Sequence, residues 1–379
     1  MMSTDRLDSL PGGRLLRGRL LAGLRFAASS LLVAAGPGCQ GEPADLGPAE
    51  PVDVPAAASP AEYPTSALID LGRDEGPRQI VEGFSLPERV GARFASWSEG
   101  ELSTVAVNLR GGAPDYLVAF LAEPYHRLGA VSVNVALNGH PAGEAQLGKG
   151  WSAYQLQVAG DRVRAGRNAL SFQYSKTGRP SDFDPQSTDV RPLSVRFDQI
   201  QIAPIADRVQ LGFGSNNALA LAALGEGWAR DPSDRGTGTW TLGKRALLTF
   251  HLIEPGAKAS SPGYQLALTA RAPNGVDERL VNLTLNGAPL GAVSFASGKS
   301  TRNIDVPAER LRAKNELGFE FTGLKSPAEL RAESKDKRLL GLRVFELVVA
   351  PRDSAPAEKP IAAPASEPGN TVAEASRLK

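Results

Sequence analysis

Residue types that perform catalysis or bind metals are scarce in this sequence of 379 residues. It contains three histidines, His126, His140 and His251, and one cysteine, Cys39. No two histidines have the i, i+2 or i, i+4 spacing that directs two imidazoles at one metal ion. We expect all three in surface or loop positions, His251 on the outward side of a strand. A single cysteine excludes an intrachain disulfide and a cysteine-built zinc or iron–sulfur site.

Three acidic residues, Asp182, Asp184 and Asp189, lie within 176–192 (KTGRPSDFDPQSTDVRP). Clustered loop carboxylates could ligate a structural calcium ion, although neither the glycine nor the bidentate glutamate of an EF-hand is present. The alternative is a set of solvated loop acids, and we expect no cofactor. Nothing in the sequence singles out a pair of carboxylates for glycoside hydrolysis, which needs two acids close in space. The chain is therefore predicted not to be an enzyme.

The overall composition limits which classes of partner and which fold class are compatible with the sequence. Lys and Arg total 42 against 41 Asp and Glu, for a net charge of +1, which excludes the electrostatic signature of a nucleic-acid binder. The 40 glycines and 29 prolines exceed average usage and indicate many turns joining short strands.

Residues 1–38 have the features of an export signal. Several arginines precede a short apolar run, Phe26 to Ala35, which is too short to span a bilayer. Cys39 follows at the place where a bacterial lipoprotein is cleaved and acylated, although Gly36 and Pro37 depart from the usual lipobox. Two interpretations stay open: a lipid anchor at Cys39, in the cell envelope on the outer membrane or periplasmic face, or an ordinary secretory signal. Membrane contact is expected through that lipid alone.

Two further segments have a composition typical of disorder. Residues 39–65 and 353–379 are rich in Pro, Ala and acids and lack apolar periodicity. We predict a tether and a tail, respectively.

The remaining sequence contains two copies of one module, at residues 66–206 and 207–352. The offset between matched segments of the two copies settles near 147 residues. Each matched segment alternates apolar with polar residues, as half-buried strands do. An Asn-Gly pair, at Asn138 and again at Asn286, supplies the positive φ values of a tight hairpin turn. The last strand shifts its apolar parity between Phe197 and Ile200, and its counterpart shifts between Val344 and Leu347, which predicts a β-bulge in both copies.

About eight short strands per copy predict an all-β chain of two tandem jelly-roll β-sandwich domains. The short join from Pro204 to Asp207 implies that the two domains touch. No segment has a convincing amphipathic helical pattern. The segment 327–337 is polar all round and is expected to be a loop or a frayed turn.

A family resemblance rests on the motif at Leu137-Asn138-Gly139 with 166–172 (GRNALSF). The second copy has Leu285-Asn286-Gly287 with 315–319 (NELGF), where Lys314 replaces the glycine. This pattern resembles the galactose-binding-like jelly rolls found as carbohydrate-binding modules. The resemblance implies a sugar-binding function, but its motif residues serve a turn and a strand end rather than a ligand.

Sugar binding by such modules uses aromatic rings with planar polar side chains nearby. Trp97 and Trp240 recur at equivalent positions, which favours a core role. Trp151 has no counterpart and follows a Gly-x-Gly turn close to Tyr154, so these two rings are the predicted platform, with core packing as the alternative for Trp151. Arg179 and Arg191 are candidate contacts to hydroxyls or sulfate by residue type.

These observations leave three functional hypotheses. The first is a non-catalytic surface lipoprotein that binds glycan. The second is a protein-interaction or envelope-assembly module, accessory to a surface enzyme such as a sulfatase or glycosyl enzyme. The third is an enzyme whose carboxylates are not recognisable from one sequence.

Overall fold

The structure is a computed structural model and describes residues 63–72, 79–90, 93–214, 217–229, 238–253 and 263–352. The predicted signal peptide over 1–38, Cys39, the tail over 353–379 and all but the last residues of the tether over 39–65 lie outside the described residues.

Strands between Ala67 and Pro204 build a first sandwich of two antiparallel sheets. The strands are β1 Ala67–Asp70, β2 Ile80–Glu82, β3 Glu88–Val90, β4 Arg93–Glu99, β5 Leu102–Leu109, β6 Asp115–Pro124, β7 Val131–Leu137, β8 His140–Leu147, β9 Ser152–Ala159, β10 Gly166–Tyr174 and β11 Leu193–Pro204. One sheet has the order β3-β4-β11-β6-β9, with β1 also paired to β11, and the other has the order β2-β5-β10-β7-β8. A one-turn helix, α1 Pro180–Phe183, lies in the loop before β11.

A second sandwich follows with the same plan. Its strands are β12 Val209–Gly212, β13 Thr239–Leu242, β14 Arg245–His251, β15 Tyr264–Arg271, β16 Glu278–Leu285, β17 Ala288–Ala296, β18 Ser300–Val306, β19 Lys314–Glu320 and β20 Leu340–Pro351. One sheet has the order β12-β20-β15-β18, with β13 also paired to β20, and the other has the order β14-β19-β16-β17.

When the short strands β1–β3 and β12 are left out, each sandwich has eight strands, and their order in the sheets is the same in both sandwiches. The first, eighth, third and sixth form one sheet, and the second, seventh, fourth and fifth form the other. This is jelly-roll topology, so the predicted all-β chain of two tandem jelly rolls is confirmed. Short helices were not expected: besides α1, the described residues include α2 Ala218–Ala222 and α3 Pro327–Leu330, which a Ser326–Glu329 capping box starts. At four or five residues each, these helices could not cross a membrane.

Each sandwich has its own apolar core between its two sheets. The alternating residues predicted to face inward are buried, among them Phe120 and Phe172 in the first core and Leu268 and Phe319 in the second. Trp228 lies in the second core. The recurrent residues Trp97 and Trp240 are buried as well, but they lie outside the two main cores, on the outer sides of their sheets.

Both sequence motifs that suggested duplication have identical backbone roles. Asn138 and Asn286 each adopt a φ of 52°, with φ values of 80° and 81° at the glycines that follow, so the predicted hairpin turns are confirmed. In the pairing of β11 with β6, Asp198 of β11 has no partner, and in the pairing of β20 with β15, Phe345 of β20 has none. Each is the extra residue of a β-bulge, so the predicted bulges are confirmed.

The junction between the sandwiches involves α2 and His251. Helix α2 of the second sandwich packs Ala218 and Leu219 against Ala119 on the outer face of the first. The Gln155 Nε2 atom lies 3.2 Å from His251 Nδ1, beside a cavity of about 130 Å³ lined by residues of both sandwiches. The expected surface position of His251 is therefore wrong, because its outward side faces the first sandwich rather than water.

His251 makes stability depend on pH. Burial, and then the positive charge of Lys314, lowers the pKa of His251, so the unfolded chain takes up this proton before the folded chain does. Stability therefore falls as pH falls below about 6.5, the ordinary histidine pKa. We expect His251→Asn, which copies Asn108 of the first sandwich, to show a smaller loss of unfolding free energy between pH 7.5 and 5. Denaturant titrations at both pH values measure this, with exposed His126→Asn as the control. Equal pH dependence in His251→Asn and wild type would contradict this role.

Candidate functional site

The predicted ring Trp151 lies at one end of the outer face of the first sandwich, just before β9. Two guanidinium groups approach it: the Arg93 Cζ atom lies 5.2 Å from the ring centroid and the Arg196 Cζ atom 5.3 Å. These are cation–π distances. Trp151 as a whole residue is half-buried.

Arg196 connects Trp151 to a second ring. It lies on β11 directly opposite Trp97 of β4, and its Cζ atom is 5.1 Å from the Trp97 centroid. Glu123, opposite Arg196 on β6, accepts a hydrogen bond from Arg196 Nε at 3.0 Å and another from Nη2. The register of neighbouring strands thus fixes the order Trp97, Arg196 and Glu123 across the sheet.

Arg93 has a carboxylate partner as well. Its Nη1 atom donates to Asp198, the residue that the β11 bulge inserts. Both side chains are about nine-tenths buried, at 11% and 8% exposed. The outer face therefore carries two arginine–carboxylate pairs whose guanidinium groups lie within cation–π distance of Trp151, which makes a charge-balanced set of hydrogen-bonding groups beside a half-buried ring. We name this set, Arg93, Glu123, Trp151, Arg196 and Asp198, the Trp151 cluster.

Tyr154 is not brought beside Trp151. Three residues apart along a strand, the two side chains point to opposite sides of the sheet. Tyr154 stacks on the core residue Phe120, with centroids 5.5 Å apart, and its Oη atom accepts a hydrogen bond from Gly148 N at 3.3 Å. Its ring therefore contributes to packing.

Arg191 stabilises the loop before β11 by binding it to β3 and β4. It donates to Asp189 from Nε at 3.0 Å and from Nη2 at 2.7 Å, and it also bonds Glu88 and Glu99 on β3 and β4. These hydrogen bonds raise the pKa of Arg191 and hold that of Asp189 below its usual range. Arg179 is exposed and immediately precedes α1.

The three loop acids are not assembled as metal ligands. Asp189 pairs with Arg191, and Asp184 Oδ1 accepts a hydrogen bond from Gln186 N, while Asp182 lies in α1. Within the described ranges, no three His, Cys, Asp or Glu side chains are grouped to hold a metal ion.

Sequence reasoning missed Arg93, Glu123, Arg196 and Asp198. A usable signal existed, because Arg196 has the outward parity of its strand and Arg343 stands at the matching position of the second copy. Arg343 indeed lies opposite Trp240, as Arg196 lies opposite Trp97.

Comparison with known proteins found matches among solved structures alone. No family model matches the chain, and no curated protein matches it. The solved structures that match include the CBM22-1–CBM22-2 tandem of Paenibacillus barcinonensis Xyn10C, with 12% identity, 76% of this chain and 98% of that chain covered, and a TM-score of 0.25. A family 35 carbohydrate-binding module from Clostridium thermocellum matches with 11% identity, over 36% of this chain and 96% of its own, at a TM-score of 0.26. At these scores the fold assignment rests on the strand topology itself.

Proposed function

We propose that the chain is a non-catalytic carbohydrate-binding protein that uses the Trp151 cluster. The observation that carries the proposal is a half-buried indole ring within cation–π distance of two guanidinium groups, each paired with a carboxylate, at one end of the outer sheet face. The ring offers an apolar surface to the C–H side of a pyranose, and the planar polar groups can bond its hydroxyls. Because each cation already has a carboxylate partner, the arrangement suits a neutral sugar.

The proposal also covers the cellular location of the protein. Export by residues 1–38 and a lipid at Cys39 would hold the protein in a bacterial cell envelope, with the two sandwiches presented to glycans. The export signal in the sequence supports this, and envelope glycans are the chemical partners that such a location supplies.

Titrating the full chain against a panel of neutral oligosaccharides tests the proposal. We expect Trp151→Ala to weaken binding roughly tenfold or more, since stacking on a ring is lost together with the area it buries. Trp151→Phe should retain part of the affinity because it keeps a ring. Phe183→Ala, which removes another exposed ring, is the control and should bind as the wild type does.

Binding that is unchanged in Trp151→Ala would contradict the site. Absence of binding by a folded sample would contradict the function. Release of reducing sugar during the titration would contradict the non-catalytic role.

One observation favours the second candidate, a protein-docking module. Large apolar side chains are exposed near edge strand β3: Leu86, just before it, is 76% exposed, and Phe94, paired with it on β4, is 51% exposed. Val190, 64% exposed, precedes Arg191, which bonds Glu88 of β3. Exposed apolar surface beside a free strand edge is typical of interaction sites. If no glycan binds, Leu86→Ser in a pull-down from envelope extracts tests this alternative.

A further inference from the structure

The cavity of about 130 Å³ between the two sandwiches is lined by both of them. Leu117 and Gln155 of the first sandwich face it, as do Leu219 and His251 of the second, and the connecting segment 203–206 completes the wall. None of its lining residues belongs to the Trp151 cluster, so the cavity is a separate place in the molecule. Boundaries between domains are a common location for small-molecule sites.

Several polar side chains of the lining can still donate hydrogen bonds. The Gln155 Nε2 atom lies 3.2 Å from His251 Nδ1, and because an amide nitrogen only donates, the proton of the neutral ring is on Nε2. The lowered pKa of His251 keeps this ring neutral at pH 7. Thr249, which also lines the cavity, forms no side-chain hydrogen bond with another described residue. A ligand could therefore accept hydrogen bonds from neutral groups here.

Arg208 gives the lining its charge. It is half-buried, and among the described lining residues it is the one side chain that is charged at pH 7. It forms no ion pair with any other residue that the structure describes. No Asp or Glu is among the described lining residues, so the cavity wall itself carries a positive charge without a compensating acid.

Charged groups outside the lining have their own surroundings. Lys314 and Glu316, of opposite charge, are exposed on β19 opposite His251 and Thr249. Asp207 is exposed beside Arg208 in the sequence. Two more acids accept hydrogen bonds from glutamines: Asp115 from Gln157 at 3.0 Å, and Glu346 from Gln210 at 2.6 Å. None of these groups forms an ion pair with Arg208.

The remaining wall is apolar and limits the size of a ligand. Leu117 is half-buried, and Leu219 and Ala223 are buried. An apolar cavity of about 150 Å³ in another protein holds one benzene molecule, so this cavity suits a ligand of about six non-hydrogen atoms. A small molecule with one anionic end and a short alkyl part matches such a wall.

We propose that this cavity binds a short-chain carboxylate, whose oxygens meet Arg208 and whose alkyl part packs against Leu117 and Leu219. Guanidinium groups bond carboxylates in a planar, charge-assisted manner. Because the wall comes from both sandwiches, the bound acid contacts both of them. This ligand is different from the sugar proposed for the Trp151 cluster and does not depend on it.

Calorimetric titration of the full chain with sodium butyrate at pH 7.5 tests the proposal, with sodium chloride as the reference for general salt effects. We expect saturable binding of one butyrate per chain. Butyramide has the same number of non-hydrogen atoms but no charge, so it should bind roughly tenfold more weakly or less well, since a charge-assisted hydrogen bond is lost.

Three variants locate the site. Arg208→Gln should weaken butyrate binding roughly tenfold or more, for the same reason. Arg208→Lys keeps the positive charge and should retain part of the affinity. Arg312→Gln makes the same charge change at an exposed position before β19 and should bind butyrate as the wild type does.

Three results would overturn the proposal: no saturable butyrate binding by folded protein, equal affinities for butyrate and butyramide, or equal affinities of Arg208→Gln and Arg312→Gln. The comparison of butyrate with butyramide uses the wild type alone, so it stands even if a variant fails to fold. Neutral-sugar binding that is lost in Trp151→Ala would support the proposed function whichever of these results is found.

Discussion

Asn168→Ala is expected to lower the free energy of unfolding of the first sandwich by about 3 kcal/mol or more. The side chain is 1% exposed and forms four hydrogen bonds at its amide. Its Oδ1 atom accepts from Arg164 N and Asn138 Nδ2, each at 2.8 Å, and its Nδ2 atom donates to the carbonyls of Arg164 and Gly166. Removing it leaves the buried carbonyl of Gly166 and the part-buried N–H and carbonyl of Arg164 without this partner, and an unpaired buried group costs roughly 1–3 kcal/mol.

Denaturant unfolding of the full chain measures this effect. Asn134→Ala, an exposed asparagine on β7, is the matched control and should change stability by about 0.5 kcal/mol or less. A double-mutant cycle with Asn138→Ala should show that the two asparagines are coupled, because they share a hydrogen bond. Similar losses in Asn168→Ala and Asn134→Ala would argue against the buried network as the cause.

Gly227→Ala is expected to destabilise the second sandwich by about 3 kcal/mol or more. Gly227 has a φ of +77°, and an added Cβ would lie 2.0 Å from Arg245 O and 2.7 Å from Ala246 Cα. The left-handed conformation alone costs an alanine roughly 1–2 kcal/mol. The overlap costs more, because the obstructing atoms are backbone of β14, which cannot move without breaking its pairing with β19.

Gly243→Ala separates the two contributions. Gly243 has a φ of +69° with nothing within 4 Å of the added Cβ, so this variant should show the conformational cost alone. The two variants are compared by their denaturation midpoints at equal m-values. Equal losses would show that the contact with β14 is unimportant.

Period-two patterning made the fold predictable, because each core has one buried side per strand. Val131, Val133 and Val135 alternate in the sequence and are all buried. The motif asparagines were correctly assigned to architecture rather than to ligand, since Asn168 and its counterpart Asn315 bond backbone groups around the turns.

Contacts between distant segments could not be predicted in the same way. Helix α2 is five residues long and apolar, so its sequence, ALALA, carries no helical periodicity. It forms where Asn217 caps its first turn, with the Asn217 Oδ1 atom accepting from Ala220 N, and where the first sandwich offers an apolar surface. The position of His251 depends on that same packing.

The site was predictable only in part, for a similar reason. Trp151 was singled out because it lacks a counterpart, but its neighbours Arg93 and Arg196 are distant in sequence. Their approach depends on the register of β4, β11 and β6, and on one inserted residue at the bulge. Tyr154, close in sequence, faces the other way because strand geometry alternates.

The pairing of β1 with β11 determines how the first sandwich responds to mechanical force. Ala67 pairs with Ile202 and Asp70 with Gln199, so the chain enters and leaves this sandwich at the same end. Tension between the N-terminal segment and the second sandwich therefore separates β1 from β11 one residue pair at a time, instead of shearing all pairs at once. Once the hydrogen bond from Arg110 N to Pro64 O has broken, the β1–β11 pairs open in turn from Ala67–Ile202, and β11, the eighth jelly-roll strand, carries the other end of the load.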